Sequence, residues 1–341
     1  MILFITNDYF DAIHSRKPML DWIRFNYGTD YRLICLNHSD KSSGKQLETL
    51  SGSVFSKYIA VRKSIRNSNP EIVVSRGLES VVIRFLIGLK APKEFFLITG
   101  LGRVYTRKRF FGLEQIIYER ILKFSRYIYS AKFIFQNNHD PTTLGISNYG
   151  LISGSGIPVL SKCFGPLDFS SFKVVTATRL IKEKGIDDIL EFCRHIINSD
   201  LNIQYTVFGS LDKLNRNYIK TIDELVRDKR IRFEGFKNFA KDEEEYHFAF
   251  YPTYYKEGAP RFLIESLSKG LILLTYDQPG CREMIQNGNG FLLNSYKQIS
   301  DVILETEFKN LQEMSKKSLD LFEMKYKYSA VYTEFNKIIK A

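Results

Sequence analysis

Short apolar runs rich in β-branched and aromatic residues alternate along the chain with longer amphipathic stretches. In the first half the runs at 2–6, 32–36, 71–75, 95–99 and 132–136 predict strands. Helical periods lie near 15–26, 52–67, 78–90 and 111–130. The second half restarts the rhythm, with strands expected at 173–178, 204–208, 231–234, 248–252, 272–276 and 290–293. Helical periods follow near 185–198, 215–228, 241–246, 260–269, 281–287 and 297–337. Strands that alternate with helices predict parallel sheets joined by crossover helices, hence an α/β fold of two doubly wound, Rossmann-like domains. The stretch 151–171 is rich in Gly, Ser and Pro, has no helical period, and reads as the linker. The expected division is a first domain over 1–165, a second over 166–325, and a C-terminal helix over 326–341 that packs back on the first domain. Two such domains facing each other make a cleft, and ligands of open parallel sheets bind at the carboxyl ends of the strands. Chemistry is therefore expected in loops that follow strands.

The chain has 341 residues, enough for two cores, and a globular composition with 44% hydrophobic and 26% charged residues. Its net charge of +11 is unevenly placed. Residues 1–165 hold 23 Lys/Arg against 12 Asp/Glu, whereas residues 166–341 hold 26 of each. A uniformly basic nucleic-acid coat would not confine its charge to one half. A basic first half suggests a domain that meets an anionic surface or substrate. The four cysteines, Cys35, Cys163, Cys193 and Cys281, are far apart and read as reduced core thiols of a cytosolic protein. The opening MILFITNDYFD has no basic leader and reads as a first strand. No apolar run approaches the roughly 20 residues of a membrane span. Such a chain can lie on a membrane without crossing it.

The densest candidate chemistry is KEGAPRFLIESLSKG at 256–270. Glu257 and Glu265 stand eight apart, but three other glutamate pairs share that spacing (Glu71/Glu79, Glu183/Glu191, Glu305/Glu313), so context must separate them. Glu257 and Gly258 follow an apolar strand, and Pro260 suits the first helical position, where its missing N–H costs nothing. The N–H groups of that helix start suit a phosphate. Glu265 lies one to two turns along and can accept two hydroxyls, as from a ribose. A solvated strand–helix corner with two surface carboxylates fits the same residues. In TATRLIKEKGIDDIL (176–190), Arg179 follows a strand and Lys184 opens a helix. Two such cations can pair with a diphosphate, or simply decorate a helix start. Gly209 and Gly235 end two more strands, where either a nucleotide or a plain turn would use them.

In the first half, FFLITGLGRVYTRKRFF (95–111) ends a strand at Gly100 and Gly102, followed by Arg103, Arg107, Lys108 and Arg109. Next comes an aromatic helical pattern with Arg120, Lys123 and Arg126. Cations beside Phe110, Phe111, Tyr118, Tyr127 and Tyr129 suit a headgroup interface or a polyprenyl-diphosphate acceptor. A large amphipathic helix with core aromatics fits equally. His14, after the first strand, and His139, after another, are cleft candidates, while His38, His195 and His247 look incidental. There is no Asp-x-Asp pair to clamp a metal–nucleotide complex. GxxxxGK[ST], GxGxxG, GxSxG and HExxH are also absent.

Six segments carry a resemblance: ITGLGRVYTRKR, FIFQNNHD, SGSGI, TRLIKEKGI, YYKEGAPRFLIESLSKG and DQPGCREMIQNGNGFLL. In order and spacing they resemble the retaining glycosyltransferases of glycosyltransferase family 4, which have the GT-B fold. Within that family they are most similar to the branch that extends undecaprenyl-diphosphate sugars for capsule, O-antigen and protein glycosylation. The resemblance implies a UDP-sugar donor, with a hexose or N-acetylhexosamine, held by the second domain. It implies that Arg179 and Lys184 bind the diphosphate, Glu265 the ribose, and Glu257 the donor sugar. Gly258, Ala259, Pro260 and Arg261 would form the loop that meets sugar and phosphate. Gly209 and Gly235 would line the donor site. The first domain would take a lipid-linked acceptor, with His14, Gly100, Gly102 and Arg103 on its side. No metal or other cofactor is implied, and no nucleic acid. The expected place is the inner face of the cell membrane, peripherally bound. Two positions depart from the family pattern. Where many members carry a His at the end of a first-domain strand, this chain has VVSRG and ITGLG, and Thr178 replaces a usual glycine.

Overall fold

The computed structural model describes residues 1–37, 46–106, 113–162, 164–166, 171–211, 214–306 and 308–341. Two compact units emerge, Met1–Gly156 with Tyr328–Ala341, and Ile157–Lys327. The first contains strands β1 (Ile2–Thr6), β2 (Tyr31–Cys35), β3 (Leu47–Thr49), β4 (Ile72–Arg76), β5 (Lys93–Ile98), β6 (Lys132–Phe135) and β7 (Tyr149–Leu151). They form one sheet of order β3-β2-β1-β4-β5-β6-β7, parallel throughout. The second contains β8 (Phe172–Ala177), β9 (Ile203–Phe208), β10 (Ile231–Gly235), β11 (Phe248–Tyr251), β12 (Ile272–Tyr276) and β13 (Gly290–Leu293). Their order, β10-β9-β8-β11-β12-β13, is again parallel. This is the Rossmann order 3-2-1-4-5-6, whose winding reverses between its first and fourth strands.

The strands read as apolar runs because helices cover both sheet faces. In β8, Val174 joins one buried cluster and Val175 another, on the opposite face. In β12, Ile272 and Leu274 alternate with Leu273 in the same way. The first sheet repeats the scheme, with Ile2 and Phe4 on one side of β1 and Leu3 and Ile5 on the other.

Eleven expected strands form, and two are new. The added β3 and β7 are three-residue strands at the two edges of the first sheet, too short to show a period. The helix expected at 241–246 is a single 3-10 turn, Phe239–Lys241, capped by the Asn238 side chain. The long period at 297–337 breaks into the helices Gln298–Glu305 and Phe308–Leu321, a wider π-helical turn Phe322–Tyr326, and the helix Tyr328–Lys340. Extended Lys327 (φ −68°, ψ 156°) makes the last break. Phe322 and Tyr326 belong to a core of the second unit, and Val331, Tyr332 and Phe335 to a core of the first. The units divide at 156/157 and not at 165/166, because Ile157 and Leu160 pack into the second unit's core.

Close contacts between loops depend on glycine in two different ways. A Cβ at Gly185 (φ +78°) would lie 2.1 Å from the Pro252 carbonyl oxygen, whereas one at Gly235 (φ +65°) would meet nothing within 4 Å. Gly235→Ala should therefore cost only the left-handed strain, about 1–2 kcal/mol. Gly185→Ala should add overpacking and cost about 3 kcal/mol. Urea unfolding of the full chain measures both, and equal losses would contradict the contact.

Candidate functional site

The loops after β8 and β11 meet where the winding of the second sheet reverses. Beyond β8 the chain turns at Arg179–Ile181, makes the 3-10 turn Lys182–Lys184, and enters the helix Ile186–Ile197 through left-handed Gly185. Beyond β11 it runs through Pro252 and Thr253 to Glu257. The Tyr254 N–H donates to the Glu183 carbonyl at 2.9 Å, which stitches the two loops together. A third loop joins them after β12. A Cβ on Gly280 would stand 2.3 Å from the Gly258 carbonyl oxygen and 2.6 Å from that of Glu257.

This convergence buries Lys184, which is 5% exposed. Its Nζ donates to Tyr251 Oη at 2.9 Å and to Glu257 Oε1. The Tyr251 hydroxyl donates to the same Glu257 oxygen. The ammonium also lies 4.9 Å from the centre of the Tyr255 ring. Burial and the adjacent Glu257 carboxylate hold the Tyr251 phenol well above its ordinary range, so it stays a donor. Cys281, beside the pair, has its thiol pushed up to about 12 by burial and is no nucleophile.

Glu265 sits in the second turn of the helix Arg261–Ser268 and is 7% exposed. It accepts from Arg261 Nε at 2.8 Å. Burial nevertheless raises its carboxyl above the ordinary range, outweighing Arg261 and Lys269. No side chain caps this helix, whose N-terminus begins at extended Pro260 (φ −62°, ψ 121°) next to Ala259. Gly209 packs against Thr178, where a Cβ would fall 2.6 Å from the carbonyl oxygen, and its N–H bonds to the Gly235 carbonyl. Arg179 is exposed and has no ion pair among the described residues.

The structure thus joins Lys184 directly to Glu257, and Arg261 to Glu265. The solvated-corner reading fails for Glu265, which is buried. Tyr251 is a member that sequence reasoning missed. Its signal was a phenol closing the otherwise apolar strand FAFY.

The first-unit candidates are less gathered. His14 lies exposed on the π-helical turn Ala12–Arg16, its ring 4.3 Å from that of Phe10. Gly100 (φ +117°) and Gly102 (φ +59°) form the left-handed turn after β5, and Arg103 follows on the short helix Gly102–Thr106. His139 begins another short helix and is exposed. Tyr118, expected at an interface, is core, whereas Tyr127 is exposed. Arg107, Lys108, Arg109, Phe110, Phe111, His38 and Cys163 lie outside the described residues. A cluster the sequence did not announce sits at the ends of β1 and β4. There Arg16, 1% exposed, makes two bonds to Asp11 at 3.0 Å, and Arg76 lies 3.4 Å from the same carboxylate. The two guanidinium groups hold the Asp11 carboxyl below its ordinary range against the cost of burial. His247 Nδ1 accepts the Lys173 N–H, a structural role.

Among the described residues no three His, Cys, Asp or Glu side chains stand close enough to hold a metal ion. No described helix is long and apolar enough to cross a membrane.

Residues 167–317 match the family described as glycosyl transferases group 1. No curated protein matches the chain. Among solved structures, sucrose-phosphate synthase from Thermosynechococcus elongatus is similar over 100% of this chain and 98% of its own, at 12% identity and a TM-score of 0.75. HepE of Anabaena, in complex with UDP, is similar over 99% of both chains, at 13% identity and a TM-score of 0.76. The lipopolysaccharide outer core galactosyltransferase WaaB is similar over 99% of both chains, at 14% identity and a TM-score of 0.70. At such identities the likeness is one of fold, and the fold is GT-B.

Because burial raises the Glu265 carboxyl, its charged form costs stability, and this cost is present only above its unfolded value near 4.5. Glu265→Gln should raise the melting temperature at pH 8, and the gain should shrink as pH falls below 5. A variant that melts lower at pH 8 would show the carboxylate to be structural.

Proposed function

We propose that the chain is a retaining glycosyltransferase. It moves a hexose or N-acetylhexosamine from a UDP-sugar to a saccharide carried on undecaprenyl diphosphate, in surface polysaccharide synthesis. The observation that carries this reading is the pair of buried Lys184 and half-buried Glu257 at the reversal point of the second sheet, within the segment that matches glycosyl transferases group 1. HepE structures of the same fold hold UDP, UDP with glucose, and UDP-glucose. On this reading the second unit binds the donor. Arg179, Lys184 and the helix start at Pro260 neutralise charge that builds on the departing diphosphate. Glu265 holds the ribose hydroxyls and Glu257 orients the donor sugar. Ala259, Gly258, Gly209 and Gly235 let the nucleotide approach the backbone. The acceptor hydroxyl attacks from the face that the diphosphate leaves, which retains configuration. The reaction needs no metal, in keeping with a sequence that holds no Asp-x-Asp pair.

The first unit takes the acceptor, with His14, Gly100, Gly102 and Arg103 on that side. Its surface supports a lipid-borne substrate. The helix Leu113–Tyr129 exposes Leu113, Ile116, Ile117, Phe124 and Tyr127 beside Arg120 and Lys123. The helix Val54–Ser68 exposes Val54, Phe55 and Ile59, and carries four basic residues and no acidic one. Apolar groups among cations suit an anionic leaflet, here the inner face of the cell membrane. A transferase with a soluble acceptor would not need that face.

At a hundred times its Kd, UDP should stabilise the wild type by about 2.7 kcal/mol. Lys184→Ala and Glu265→Ala should lose that stabilisation and also transfer to a polyprenyl-diphosphate sugar. Near wild-type turnover by both folded variants would refute the site. Sedimentation with phosphatidylglycerol vesicles tests the acceptor side, and a protein that stays in solution would favour a soluble acceptor.

A further inference from the structure

The Tyr251 hydroxyl stands between the two charged groups of the site, and neither the fold nor the packing requires it there. Its ring packs against that of Phe262 (centroids 5.6 Å apart), and a phenylalanine would make the same contact. Its oxygen accepts from Lys184 Nζ and donates to Glu257 Oε1. The side chain of Thr178, at the position where a glycine was expected, lies near the same phenol on the β8 side. Lys184 and Glu257 therefore share one neutral partner as well as each other. A phosphate that draws on Lys184 competes with Glu257 for that cation, and a carboxylate deprived of its cation swings unless a second donor holds it.

We propose that Tyr251 is the positioning residue of this site: its hydroxyl keeps the Glu257 carboxylate fixed while Lys184 serves the donor phosphate. The proposal rests on the glycosyltransferase reading for its consequence in turnover, but not for its consequence in the geometry of Glu257. The titratable groups around the phenol are Glu257, Lys184 and Cys281.

The test compares full-length wild type, Tyr251→Phe and Thr178→Val by two readouts. The first is the 13C resonance of the Glu257 carboxyl in glutamate-labelled protein at pH 7, assigned with Glu257→Gln. Loss of the phenol donor should displace and broaden this resonance in Tyr251→Phe. Thr178→Val should move it the same way by less, which keeps the test open if the phenylalanine variant does not fold. The second readout uses UDP and UDP-glucose as probes. Tyr251→Phe should bind UDP within about twofold of wild type, yet release sugar from UDP-glucose roughly tenfold or more slowly. An unmoved Glu257 resonance in the folded variants would overturn the proposal, and so would an unchanged rate. Wild type that binds no UDP would instead refute the glycosyltransferase reading, and the carboxyl resonance would still decide the role of Tyr251.

Discussion

The carbonyl oxygen of Pro252 occupies the space that a side chain at position 185 would need. That single close approach lets the loop after β8 lie against the loop after β11, and the rest of the second unit's site follows from it. With the loops apart, the Tyr254 N–H could not reach the Glu183 carbonyl. Lys184 would be an ordinary exposed lysine rather than a buried one. Gly280 repeats the arrangement on the other flank, where the start of the next helix rests on the Glu257 and Gly258 carbonyls. Three loops with little side-chain bulk between them thus create a small polar interior at the ends of the strands.

Burying a lysine against a half-buried carboxylate is costly unless they pair and find further hydrogen bonds. Here the pair is completed by the Tyr251 hydroxyl and by the ring of Tyr255. Glu265 is less fully compensated. Arg261 and Lys269 favour its charge, yet burial dominates. On the proposed reading, ribose hydroxyls donate to this carboxylate and offset that cost.

The parallel strands were legible in the sequence because each is an apolar run long enough to show its period. The edge strands Leu47–Thr49 and Tyr149–Leu151 were not, since three residues carry no period. The break at Lys327 was hidden because Phe322 and Tyr326 continue the apolar period that Val331 and Tyr332 resume, although the two pairs serve different cores. Of the site, the sequence placed Lys184, Glu257 and Glu265 by their positions after strands. It did not reveal that Lys184 and Glu257 touch, nor that Tyr251 joins them, because those contacts depend on the two-dimensional order of the strands. The Asp11–Arg16–Arg76 cluster was hidden for the same reason, as β1 and β4 are neighbours in the sheet but 60 or more residues apart in the chain.

On the proposed reading, the loops after β8 and β11 hold the diphosphate of the donor nucleotide. Amide hydrogen exchange of the full chain, with and without saturating UDP, tests it directly. UDP should slow exchange in the segments 179–186 and 257–264 and leave the first unit little changed. Protection absent from both segments, or confined to the first unit, would contradict it.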